Sequence, residues 1–263
     1  LMGWHMSTYL ADAMLDHMLN NTAFTPPAAV YATLTTTIPV ADGTSTEVSG
    51  GGFARQAVTF GTPAAGSVTS ATGPSWSPVH TADDQVVVGV QLMDDPTAGN
   101  LLFFYPLDQT IVVPANRDLA LPSNFATITR GTGALTNYAA DKWFDLVLNG
   151  TAWTPPATVY VAEFTTAVDE TGAGTEVTGG GYARQAVTFD APSVGVTFNP
   201  SAVDFAPLQS GAAQNVLYTG ICDASTAGHL LLFAPINTDG TALAVGAGDT
   251  LDHGAAFLTV TGT

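Results

Sequence analysis

The chain repeats itself, and that repeat limits its fold more than any other feature. At an offset of 129 residues, positions 9–106 overlie 138–235 without a gap, and 43 of those 98 positions are identical. Asn20, Thr22-Ala23 and Thr25-Pro26-Pro27-Ala28 return as Asn149, Thr151-Ala152 and Thr154-Pro155-Pro156-Ala157. The stretch 54–60 is repeated letter for letter at 183–189. Toward the end of each copy the offset drifts to 132, which pairs Phe125-Ala126-Thr127-Ile128-Thr129 with Phe257-Leu258-Thr259-Val260-Thr261. A repeat this long is a whole domain rather than a solenoid unit. The 263 residues are therefore expected to divide into two domains, 1–133 and 134–263, joined at Arg130-Gly131-Thr132-Gly133.

Within each copy the periodicity changes once. Leu10, Met14, Leu15, Met18 and Leu19 recur at helical spacing behind a Ser7 or Thr8 cap, and Trp143, Phe144, Val147 and Leu148 do the same after Asn137, ending at Asn149-Gly150. Beyond Thr-Pro-Pro the chain is rich in β-branched and aromatic residues, broken by Gly, Pro, Asp and Asn about every 8–12 residues, the rhythm of a sandwich or barrel. The expected fold is mainly β. It comprises two tandem antiparallel β-sandwich domains, Ig-like or jelly-roll-like, each preceded by a short N-terminal helix.

Charge narrows the partners. The chain has 22 acidic residues against 5 basic ones, a net charge of -17, yet only 10% of it is charged, against roughly 25% in an ordinary soluble protein. With 46% hydrophobic residues it has material for a core. Nucleic-acid binding draws on Lys and Arg at phosphates, and an anionic membrane would be repelled, so neither is an expected partner. No apolar run reaches the 18 residues or so of a membrane helix, and the stretch 1–6 lacks the basic and apolar segments of a secretory signal. An acidic, lysine-poor surface suits high salt, where counterions screen self-repulsion; a halophilic or marine host would fit it.

The most specific motif is Thr-Glu-Val-(Ser/Thr)-Gly-Gly-Gly-(Phe/Tyr)-Ala-Arg-Gln-Ala-Val-Thr-Phe, at 46–60 and 175–189. Its glycines, Gly50, Gly51, Gly52 and Gly179, Gly180, Gly181, permit positive φ or close backbone approach. Arg55 and Arg184 are two of only four arginines and sit eight residues after Glu47 and Glu176. The favoured reading is structural: each Glu pairs with its Arg across the glycine loop, or the Arg ties down loop carbonyls. Capture of a carboxylate or sugar by these arginines is the less favoured alternative. A phosphate loop would need Lys-Ser/Thr and a helix after the glycines, and a strand follows instead.

In their order, the helix, Thr-Pro-Pro-Ala-x-Val-Tyr, the glycine loop, Gly-(Phe/Tyr)-Ala-Arg-Gln-Ala-Val, Asp-x-x-Thr-Ala-Gly-x-Leu-Leu and a terminal Leu-Thr-Val-Thr resemble a family of tailed-phage virion proteins, often labelled tail fibre or phage structural proteins. The resemblance covers both halves and implies a noncatalytic component on the exterior of the particle, a capsid decoration or a tail or fibre part. It further implies contacts with other virion proteins and a homo-oligomer. Two family-like domains in tandem depart from the usual single one. So does Arg117-Asp118-Leu119, where the second half carries Gly248-Asp249-Thr250-Leu251.

Nothing in the residues argues for catalysis, a cofactor or a metal. His5, His17, His80, His229 and His253 show no metal-binding spacing, and the single Cys222 excludes a cysteine-rich zinc site and reads as a buried hydrophobe. Asp83-Asp84 and Asp94-Asp95 suggest a carboxylate pair, but the second half retains only Asp223. Asp94 and Asp223 precede Thr-Ala-Gly, where a carboxylate accepts loop amides; this turn role is preferred over weak Ca²⁺ binding. A host-surface glycan is the alternative partner. Trp76, in Gly73-Pro74-Ser75-Trp76-Ser77-Pro78, is its best surface contact, although Phe205 at the matching place favours a packing role. The apolar stretch 1–6 would serve equally as a docking arm or as part of its own domain.

Overall fold

The computed structural model of the chain describes residues 3–131, 134–205, 214–246 and 248–262. The first half runs β1 (His5–Met6), α1 (Thr8–Leu19), β2 (Val30–Thr35), β3 (Gln56–Val58), β4 (Ser67–Thr69), β5 (Ser75–Trp76), β6 (Gln85–Met93), β7 (Leu101–Val113), β8 (Leu119–Ala120) and β9 (Thr127–Thr129). The second half repeats it as α2 (Asn137–Asn149), β10 (Val159–Phe164), β11 (Gln185–Val187), β12 (Val196–Phe198), β13 (Val203–Asp204), β14 (Gln214–Val216), β15 (Tyr218–Cys222), β16 (Leu230–Pro235), β17 (Leu243–Val245), β18 (Asp252–His253) and β19 (Thr259–Thr261). The fold is mainly β, with all strand pairs antiparallel and one helix at the head of each half.

The large sheet of the first half has the order β1-β7-β6-β2-β3, and that of the second β11-β10-β15-β16. Met6 pairs with Phe103 in β1–β7, and the bridge Leu135–Leu232 stands at the matching place in the second half. Residues 5 and 6 therefore pair with their own chain. Leu1 and Met2 lie outside the described residues, as do Thr132 and Gly133 of the joint. Three-residue ribbons, β4–β9 and β12–β19, accompany the large sheets.

Each helix begins at a buried hydroxyl that does two jobs. Ser7 Oγ accepts from the Leu10 amide at 3.1 Å and donates to the Leu101 carbonyl. Thr136 Oγ1 accepts from Ala139 at 3.3 Å and donates to Leu230 at 2.7 Å. The cap thus satisfies an orphan helix donor and fixes the helix to the neighbouring strand. At the other end of α2, Gly150 takes the left-handed conformation at φ 67, which glycine adopts without Cβ strain.

The apolar faces of both helices and of both large sheets join one continuous core. Leu10, Leu15, Leu92 and Phe103 of the first half and Trp143, Leu146, Val161 and Leu231 of the second lie in the same buried cluster.

Candidate functional site: twin arginine clamps and the contact between halves

In each half the Gly-Gly-Gly motif builds the same clamp. Arg55 Nε donates to Glu47 Oε2 at 3.0 Å and its Nη2 to Oε1 at 2.5 Å; Nη1 donates to the carbonyls of Asp95, at 2.7 Å, and Ala98. Arg184 repeats this on Glu176 at 2.9 and 2.8 Å and on the Ala224 and Ala227 carbonyls at 2.8 and 2.6 Å. The bidentate fork is the geometry for which guanidinium suits carboxylate, and hydrogen bonding to Glu176 holds the Arg184 guanidinium above its ordinary pKa. With both faces of the fork occupied by the protein's own oxygens, the guanidinium joins three segments: the loop after the second strand, the motif strand, and the turn between the two long strands.

That turn is itself held by a carboxylate. Asp94 Oδ1 accepts the Asn100 amide at 2.6 Å, and Asp223 Oδ1 accepts the His229 amide at 2.6 Å. A Cβ added at Gly99 or Gly228 would lie 2.0 or 2.3 Å from these oxygens, so glycine there gives the carboxylate its room. Asp95 accepts from Thr97 and Ala98, whose amides hold it below the usual carboxylate range. Asp84 accepts the Ala115 amide at 2.9 Å; Ala212 and Ala213, at the places of Asp83 and Asp84, lie outside the described residues. Burial pushes the Cys222 thiol up to about 12, far from a reactive thiolate.

All six motif glycines have positive φ: 78, 55 and 88 for Gly50–Gly52, and 82, 59 and 83 for Gly179–Gly181. At Gly51 a Cβ would also come within 2.5 Å of the His80 ring. The following aromatic stacks on the residue expected to be a surface contact. Phe53 lies parallel to Trp76 at 6.0 Å, and Tyr182 to Phe205 at 5.8 Å. Trp76 is only 2% exposed, and its indole nitrogen donates to the Ala54 carbonyl at 2.9 Å. The possible surface contact is therefore corrected in favour of the packing role that Phe205 suggested: Trp76 lies on β5, paired with Leu119 of β8, and its ring turns inward, where stacking and one hydrogen bond satisfy it.

The halves hold each other through reciprocal contacts. Asp12 of α1 accepts the Gly195 amide at 2.6 Å, and Asp141 of α2 accepts the Gly66 amide at 2.8 Å. Asn20 donates to the Asp190 carbonyl and Asn149 to the Gly61 carbonyl, both at 3.1 Å. Each helix thus packs on the ribbon of the other half, in the pattern of an isologous interface. Between the helices, the buried His17 ring lies 4.9 Å from Trp153 and 5.9 Å from Trp143.

The family model of the podophage GP4 fiber I protein gp80 matches the chain twice, over residues 5–129 and 134–261. The chain belongs to this fibre family. A search of curated proteins finds no match. Membership in the gp80 family makes a structural role in the fibre of a tailed virus the reading at family level.

Two features of this gp80-family chain escape the motifs. Glu163 and His253 are both buried and meet at 2.7 Å, with Thr219 Oγ1 donating to the same carboxylate oxygen at 3.1 Å and the other oxygen without a partner among the described residues. Burial raises the Glu163 pKa. Leu34 and Leu121 occupy these places in the first half. Comparing the halves position by position exposes this exchange, whereas hydrophobic periodicity does not. The second feature is a cleft of about 690 Å³ between the halves, lined by Trp4, Met6, Leu15, Trp143 and Leu232 among others.

Proposed function

We propose that this chain is a noncatalytic structural component of the tail fibre, on the outside of the particle, built from two domains bounded near 133. The observation that carries the reading is the double family match over 5–129 and 134–261. The geometry agrees with a scaffold: the two most specific motifs spend their charged groups on their own loops, and the Asp94 and Asp223 carboxylates are occupied by amides. In this role each half is read as a sandwich closed by its neighbour's helix, and the pair of halves as one rigid unit that contacts other virion proteins. Electron microscopy of particles carrying a labelled chain tests the proposal. Label on the tail exterior is expected, with loss of fibre density when the chain is omitted; label on the capsid, or an unchanged tail without the chain, refutes it.

A further inference from the structure

The two halves share their internal devices but differ on one exposed face, the β4–β9 ribbon against β12–β19. In the first half that face is hydroxylic. Ser67 and Thr69 stand opposite Thr129 and Thr127, with hydroxyl contacts of 3.1 and 3.2 Å. In the second half the matching positions are Val196 and Phe198, opposite Thr261 and Thr259. They are 37% and 41% exposed, and Val194, at the place of Ala65, is 76% exposed. Val194 also takes positive φ, at 55, a conformation that β-branched residues rarely adopt. An apolar row therefore replaces a polar ladder, and it begins at the rim of the cleft between the halves, which Val194 lines.

The charges beside the ribbon changed with it. Next to β4 stand Asp141 and Asp145 together with Lys142, and Arg130 packs against Gly66. Next to β12 stand Asp12 and Asp16 of α1, with Ala13 where Lys142 would be and Gly262 where Arg130 would be. Asp190 is added in place of Gly61, and its amide donates to the Phe198 carbonyl at 3.0 Å. The apolar row is thus flanked by three carboxylates and has lost both cations of its counterpart.

From this divergence we infer that the β12–β19 face docks a different virion protein, one that presents an apolar ridge flanked by Lys or Arg. The inference rests on the fibre reading. Complementary charge selects such a partner and disfavours like-charged ones. A second copy of this chain is poorly suited, since Arg55 and Arg184 are held in the clamps and Arg130 is bound to Asn137, with Glu170 beside it. That leaves Lys142 and Arg117 against 22 acidic residues.

Carbodiimide treatment of intact particles, which couples carboxylates to nearby amines, tests the inference by peptide mass spectrometry. Amide links from Asp190 or Asp16 to a lysine of another virion protein are expected. In particles carrying the Val196→Ser/Phe198→Thr chain, with the residues of the first half, those links should fall about tenfold, because two apolar side chains no longer become buried. The melting temperature of the purified chain should stay within a degree or two. Links from these carboxylates to Lys142 of a second copy, silence of Asp190 and Asp16, or an unchanged yield in the variant would each overturn the inference. Absence of the chain from the particle would overturn the fibre reading and this inference with it, whereas presence with silent carboxylates overturns the inference alone.

Discussion

His17 is expected to make the contact between the halves sensitive to acid. Its ring is buried between Trp153 and Trp143, Nδ1 accepts the Phe24 amide at 3.1 Å, and Nε2 has no hydrogen-bond partner among the described residues. Desolvation lowers its pKa from 6.5 to about 4. The folded-state value is depressed, so the unfolded chain binds more protons between these limits, and stability is lost as pH falls from 6.5 toward 4. At about 1.4 kcal/mol per tenfold change in proton affinity, the loss approaches 3 kcal/mol, mostly complete near pH 4. Leu146 occupies the equivalent position on α2, so His17→Leu places a residue the fold already accommodates. Urea denaturation of wild type and variant at pH 7.5, 6, 5 and 4.2 isolates the effect, since the two proteins differ by this one ionisable group. The variant should lie within about 1 kcal/mol of wild type at neutral pH and gain about 2–3 kcal/mol over it at the acid end. Parallel curves for the two proteins would refute the reasoning.

Four further outcomes are expected. Replacing both Glu163 and His253 by Leu should hold or raise stability by about 1–4 kcal/mol, whereas His253→Leu alone should cost about 3 kcal/mol. Because the Glu163 pKa is raised, its share of stability is present below the ordinary carboxylate value and lost as pH rises through the folded value, so the double variant should gain most in alkali; a double-mutant cycle in urea measures this. Arg184→Met leaves the half-buried Glu176 and the two turn carbonyls without their donor and should cost about 1–3 kcal/mol, with hydrogen exchange quickening at 223–228. Gly51→Ala, at positive φ and against the His80 ring, should cost at least about 1–3 kcal/mol by thermal melting. With a net charge of -17, the chain should melt higher in multimolar KCl than in dilute buffer; higher stability in dilute buffer would contradict the salt-adapted reading of its surface.

The order of helix and strands was legible because it depends on local periodicity and on turn residues, and the two copies report it independently. The Glu47–Arg55 spacing was legible because scarce arginines at matched positions stand out in so acidic a chain. The crossing of each helix to the other half was not. Helical periodicity marks Leu10, Met14 and Met18 as a buried face, but a face does not name its cover. Trp76 was legible only through its counterpart: proline and serine on either side mark a loop, whereas Phe205 at the matching place points inward, and the stacking partner Phe53, with β3 and β4 between them in the chain, is not marked by local pattern. Ribbons of three residues are too short to show alternation at all.

Duplication explains which features stayed and which drifted. The clamp needs carboxylate, guanidinium and turn carbonyls together, and removing one member leaves half-buried polar groups without their partners, so each half keeps all of them. Its accessory donor moved without harm: Thr33 donates to Glu47 at 2.7 Å in the first half, whereas Tyr182 donates to Glu176 at 3.0 Å in the second, where Ala162 replaces the threonine. The helix carboxylates Asp12 and Asp141 were likewise kept, because each satisfies a tight-turn amide across the boundary. The ribbon faces carry no such obligation. One copy carries a hydroxyl ladder that water solvates while the other carries Val194, Val196 and Phe198, a row that gains nothing from water and is therefore expected where a partner removes it from solvent. The shared positions thus trace what the fold requires, and the divergent face is where the inferred docking of one half alone would be read.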